Sequence, residues 1–132
     1  MAGARLEFFL RSIGYPDQAP VGSVSFMLRV DGKEMAVEES AGRIVLSYVL
    51  TEDDSLLPML ASYASGRMLR EDATLAHGSR AAFLWQDAPA DADARALVRL
   101  FETFADSCDW WRARLDERGG GAVEISEAVI RP

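Results

Sequence analysis

The chain has very little of what chemistry at a site requires. Its 132 residues include one cysteine and one histidine. Cys108 alone can form neither an intrachain disulfide nor a cysteine zinc site. It lies among Phe and Trp on a helical stripe, so it reads as a small buried hydrophobe in a reducing compartment. His77 stands between Ala76 and Gly78, where a hairpin turn is predicted, and reads as an exposed turn residue. Nothing in the spacing makes a nucleophilic pair of it with Cys108. Basic charge is also short. Fourteen Lys and Arg face twenty-one Asp and Glu, a net charge of -7 with a pI near 4.7. Such a surface repels phosphate backbones and anionic lipid, which excludes nucleic acid and membranes as partners. Long hydrophobic runs are missing too. MAGARLEFFLRSIG offers three consecutive apolar residues, too few for a signal peptide, and no stretch approaches a membrane span. The expectation is a soluble, cytoplasmic protein.

The remaining chemical motifs are equally thin. Glu52, Asp53 and Asp54 precede a helix and read as caps rather than metal ligands. Gly119-Gly120-Gly121 lacks the Lys-Ser/Thr and the helix of a phosphate-binding loop. No nucleophile elbow or dinucleotide fingerprint is present. The expectation is therefore no enzyme, no cofactor, no metal and no small-molecule substrate.

The organising stretch is Asp91–Glu117. Leu97, Phe101, Phe104, Cys108, Trp111 and Leu115 recur at alternating steps of four and three, one stripe of a helix. Asp91 or Asp93 can cap its start, and Arg112, Arg114 and Arg118 suit the negative end of its dipole. At about 1.5 Å per residue it could run to roughly 40 Å. A stripe this long needs a sheet or several helices beneath it.

The rest of the chain supplies the sheet. Ala2–Ile13 places Leu6, Phe9, Leu10 and Ile13 on one helical face, with Phe8 pointing nearly opposite. Gly14, Pro16, Asp17 and Pro20 form a loop. From Ser23 the period changes to two, with Val24, Phe26, Leu28 and Val30 on one face. Asp31-Gly32 turns into Lys33–Glu38, and Ser40-Ala41-Gly42 turns into Arg43–Leu50. That third strand is apolar on both faces, through Ile44, Leu46, Tyr48 and Leu50 on one and Val45 and Val49 on the other. A second helix runs to about Met68 with Leu56, Leu60 and Tyr63 as its core stripe. Beside that stripe lies a row of Leu57, Ala61, Ala64 and Met68, whose small and flexible side chains admit another helix closely. It is a candidate dimer contact, or else the margin of a wide buried face. Ala73–Ala76 and Arg80–Gln86 read as strands, with Phe83 and Trp85 sharing a face, and Asp87–Ala90 as a loop.

The order is α-β-β-β-α-β-β-α, an α+β domain with helices gathered on a mainly antiparallel sheet. A chain of this size can bury roughly two-thirds of its unfolded surface without disulfide or metal. Residues 1–118 form one domain in this reading, and residues 119–132 a flexible tail. Phe8, Trp110, Met27, Val45 and Val49 lie off the core stripes. On a small acidic protein that surplus points to a surface for an extended apolar segment.

With these elements in place, the chain resembles the class I type III secretion chaperones, the Tir-chaperone family. FMLRVDGKEMAVEESAGRIVLSYVL looks like the family's strand–DG–strand–G–strand pattern. LLPMLASYASGRMLREDATLAHGSRAAFLWQ looks like its second helix, strand pair and Trp-containing strand, and LVRLFETFADSCDWWRARL like its long last helix. The resemblance covers the first helix to Leu115. It implies a homodimer in bacterial cytoplasm that binds the amino-terminal segment of a secreted effector protein in extended form, by strand addition and by filling apolar grooves, without ATP or cofactor. It implies partner contacts at Arg5, Phe8, Phe9, Met27, Val45 and Val49, to which the off-stripe Trp110 is added. It implies a dimer contact through Leu57, Ala61, Ala64 and Met68, with Leu75. The tail after Gly119 is longer than the family core requires. The alternative is a regulatory or adaptor domain of the same fold, since fold alone does not decide function.

Overall fold

The computed structural model describes residues 4–20, 22–67, 73–78 and 81–117. Two tight turns set the frame. Asp31 and Gly32 take φ of 51° and 79°, and Ala41 and Gly42 take 51° and 77°. Paired positive φ values match the right-handed twist of the strands that such turns join. They connect β1 (Ser25–Val30), β2 (Lys33–Ser40) and β3 (Arg43–Thr51). β4 (Thr74–His77) and β5 (Ala82–Pro89) complete an antiparallel sheet in the order β1-β2-β3-β5-β4. The helices are α1 (Ala4–Ser12), α2 (Leu57–Arg67, after a 3₁₀ turn at Asp54–Leu56) and α3 (Ala94–Leu115). The α-β-β-β-α-β-β-α order is the one expected from the sequence.

α3 begins where Asp93 Oδ1 accepts the Ala96 N–H at 2.8 Å, so Asp93 and not Asp91 caps it. Its 22 residues span roughly 33 Å. Five of the six stripe residues are buried, and Phe101 is half-buried, meeting Phe9 edge-on at 6.4 Å. Leu100 and Ser107 are buried as well, which widens the stripe on one side. β2, β3 and β5 turn Met35, Val37, Ile44, Leu46, Tyr48 and Leu84 toward this helix, and α1 adds Leu6, Phe9 and Leu10.

Polar links fix the layers. Arg112 donates to Tyr48 Oη at 3.0 Å and to the Leu50 carbonyl at 3.3 Å. Gln86 Nε2, buried on β5, donates to Thr103 Oγ1 at 3.0 Å. Arg5 donates to the carbonyls of Ala90 and Ala92, pinning α1 to the loop before α3. The Leu6 N–H at the start of α1, which has no acceptor within the helix, donates to Glu39 Oε1 at 3.0 Å. Glu39 is thus half-buried and holds the start of α1 to β2.

Several boundaries differ from expectation. β5 starts at Ala82 and runs through Asp87 to Pro89, so the expected Asp87–Ala90 loop is mostly strand. Proline is tolerated there because the Ala90 N–H bonds to the Gly42 carbonyl just before β3, so the Pro89 nitrogen faces the other side, where β4 pairs only with Ala82–Trp85. His77 is the final residue of β4 rather than a turn residue. The row residue Met68, the triple glycine and the tail lie outside the described residues.

Candidate functional site

The helices leave one face of the sheet uncovered among the described residues. Strand pairing shows what that face carries. Met27 lies beside Ala36, Ala36 beside Ser47, Ser47 beside Trp85 and Trp85 beside Thr74, a row that crosses all five strands. Val49 pairs with Phe83 and Phe83 with Ala76 on one side of this row. Val45 stands on the other side, next to Asp87. Residues alternate between faces along a strand, so all of these point away from α1 and α3. Met27 is 56% exposed and Val49 50% exposed, while Val45, Phe83 and Trp85 are half-buried.

Charge frames this apolar band. Arg29 pairs with Glu34 toward the β1–β2 turn, and Arg43 Nε lies 2.6 Å from Asp87 Oδ2 at the opposite margin. A shallow depression of about 460 Å³ opens on the same face, lined by Met27, Arg29, Ala36, Ser47 and Val49 among others. The arrangement can bury an apolar segment at its centre and orient it by polar groups at its rim.

The remaining expected partner residues lie elsewhere. Phe8 is on the outer side of α1, beyond the other face of the sheet, and is half-buried because Arg5 covers its ring at 4.5 Å and Arg11 at 5.9 Å. Phe9 is fully buried, so the contact expected there is corrected to core. Its position at the centre of the α1 apolar face, against Phe101, leaves nothing for a partner to touch. Trp110 packs edge-on against Tyr63 of α2 at 5.9 Å and against Trp111 at 5.3 Å, with Arg114 over its ring at 5.0 Å. The expected surface is therefore not one patch. Met27, Val45 and Val49 come together, Arg5 and Phe8 form a second locus, and Trp110 belongs to the α2–α3 contact.

Of the expected dimer contacts, Leu57 and Leu75 are half-buried against this chain's own core, and Ala61 is exposed. The Ala64 side chain and Met68 lie outside the described residues. Ala36, Phe83 and Trp85 were missed as open-face residues. The signal was present in the shared face of Phe83 and Trp85, but their register against Val49 and Ser47 requires pairing that sequence alone does not fix.

Among the described residues, no group of three or more His, Cys, Asp or Glu side chains is placed to hold a metal ion. Asp53 accepts from the Ser55 hydroxyl at 2.7 Å and the Ser55 N–H at 2.9 Å, and these bonds lower its pKa. That is the geometry of a cap. No helix among the described residues is long and apolar enough to cross a membrane.

No protein-family model matches the chain, and no curated protein matches it. Solved structures do. A chain of the HopA1–SchA chaperone–effector complex superposes with a TM-score of 0.64 at 16% identity, covering 82% of this chain and 90% of that one. The ExsC–ExsE complex gives 0.63 at 16% identity, covering 83% and 89%. The heterodimeric ExoU–SpcU complex from the type III secretion system of Pseudomonas aeruginosa gives 0.60 at 17%, covering 82% and 95%. This chain has the secretion-chaperone fold. The resemblance read from the sequence holds at the level of architecture, over most of both chains.

Proposed function

We propose that this protein is a non-catalytic chaperone of type III secretion that holds the amino-terminal segment of an effector in extended form. The observation that carries the reading is the uncovered apolar face around Met27, Val45 and Val49, on a fold shared with a chaperone–effector complex. An open band of exposed Met27 and Val49 beside half-buried Val45, Phe83 and Trp85, on a chain with net charge -7, favours an apolar segment with basic flanks. Arg5 and Phe8, on the far side of the sheet, form a second contact for a segment that passes around an edge. The chain works as a cytoplasmic homodimer through α2, using Leu57, Ala61, Ala64 and Met68 with Leu75, and residues 1–118 act as one domain. Holding a segment soluble requires no cofactor and no turnover.

The test is capture of the tagged protein from its native host, with the complex sized in solution and the protected client segment mapped by proteolysis. Two copies of this chain bound to one larger protein near its amino terminus is the expected result. A bare dimer, or a scatter of unrelated proteins, overturns the chaperone reading and favours a regulatory domain.

A further inference from the structure

Among the described residues no strand pairs with the outer edge of β1, and the Tyr15 side chain reaches it. Glu39 N–H donates to the Val24 carbonyl, which fixes the parity of the β1–β2 ladder. Backbone groups of Phe26, Leu28 and Val30 then face β2, and those of Ser25, Met27 and Arg29 face outward. Outward N–H and C=O groups on an edge strand are a template for a further strand. Here the Arg29 N–H donates to the Tyr15 hydroxyl at 3.0 Å. The Tyr15 ring stands edge-on to Phe26, with centroids 5.9 Å apart at 80°.

The end of α1 aims Tyr15 at this place. Gly14 takes φ +75°, the Tyr15 N–H donates to the Leu10 carbonyl at 3.0 Å, and the Gly14 N–H to the Arg11 carbonyl at 3.1 Å. This is the paired bonding of a Schellman motif, which fixes where the chain leaves the helix. A side chain held by its own helix end therefore occupies a backbone donor of the edge strand.

We propose that Tyr15 closes the β1 edge, and that an extended segment adds to β1 only by taking the Arg29 N–H from the Tyr15 hydroxyl. The inference rests on the chaperone reading for its biological occupant, an effector segment in strand form. Beside Met27 that segment places an apolar side chain on the open face. Beside Arg29 it places an acidic one.

The test is Tyr15→Phe in the full chain, which keeps the ring against Phe26 and removes the acceptor. Amide hydrogen exchange at Arg29 should quicken by about two- to tenfold, the range for losing one hydrogen bond, while Leu28 and Val30 amides serve as unchanged references. A labelled ten-residue peptide of alternating valine and threonine should bind Tyr15→Phe more tightly than wild type by about the same factor. Its N-methylated counterpart should show no gain. Unchanged Arg29 exchange overturns the proposal. So does faster exchange with unchanged peptide affinity, or failure of the peptide to bind either form. Neither measurement needs a secreted client, so the edge mechanism and the chaperone reading can fail separately.

Discussion

Lys33 Nζ lies 2.6 Å from Asp109 Oδ1, tying the first residue of β2 to the C-terminal half of α3. The Lys33 side chain is only 11% exposed, whereas that of Asp109 is 61% exposed. Burial opposes the Lys33 charge, but the hydrogen bond to Asp109 and the fields of Asp109 and Asp31 outweigh it, and the pKa rises above 10.5. Removing the carboxylate leaves the ammonium at the end of a largely covered side chain without its partner. Asp109→Ala is expected to cost about 1–2 kcal/mol in urea denaturation, whereas Lys33→Met, which removes the charge and keeps the stem, should cost less. The pH dependence follows from the sign of the shift. A pKa raised on folding contributes stability fully below the unfolded value and loses it as pH rises through the folded value. The cost of Asp109→Ala should thus hold steady from neutral pH to about 10 and shrink only above it. A cost that vanishes near neutrality would show that Asp109 does not support the Lys33 charge.

The start of α3 gives a sharper comparison. Asp93 Oδ1 accepts the Ala96 N–H, and Asp91 is exposed two residues earlier. Asp93→Ala should lower stability by about 1 kcal/mol, typical of losing an N-cap. Asp91→Ala should stay within about 0.5 kcal/mol, as surface substitutions usually do. Thermal melts of the two variants beside wild type decide it.

The fold was legible wherever local chemistry has one solution. Asp31-Gly32 and Ala41-Gly42 tolerate or supply positive φ between runs of period two, so both hairpins could be placed to within a residue or two. The α3 stripe was legible because six apolar residues at helical spacing, five of them large, leave few alternatives. β5 was harder. Asp87 and Pro89 are loop signals, but their partners are Val45 and Arg43, and pairing with β3 extends the strand through them. Tertiary pairing overrode local preference there. The site was half legible. Val45 and Val49 betrayed a second apolar face on β3, but side-chain direction alone could not separate Phe8 and Trp110 from that face. Each points off its stripe, and each finds cover from neighbours that only the tertiary fold brings near: Arg5 and Arg11 for Phe8, and Tyr63 with Arg114 for Trp110.

The open face should be separable from the core by mutation. Val49 is half exposed and pairs with Phe83, with no helix above it among the described residues. Val49→Asp should therefore leave the melting temperature nearly unchanged, within about 0.5 kcal/mol of stability. Its affinity for the client segment should fall tenfold or more, because the new carboxylate must be desolvated under an apolar segment, at about 1.4 kcal/mol for each factor of ten. Isothermal titration beside a melt separates the two effects. Unchanged affinity in a folded variant would remove this face from the binding surface.

The proposed homodimer can be tested at Ala61. This residue is exposed on α2, one turn from the half-buried Leu57, while Leu60 on the adjacent face is fully buried in the chain's own core. In a monomer, Ala61→Glu places a good helix former in water and should cost about 0.5 kcal/mol at most. In a helix–helix contact built on small residues, the same carboxylate meets the partner's backbone at close range and loses water without gaining a cation. The cost of such an unpaired buried charge, about 3–5 kcal/mol, falls on association rather than folding. Light scattering should therefore report a dimer for wild type and a monomer for Ala61→Glu, with helical circular dichroism retained in both. A variant that stays dimeric moves the interface off α2. A wild type that is already monomeric removes the homodimer, and with it the reason for a small-residue row beside the α2 core stripe.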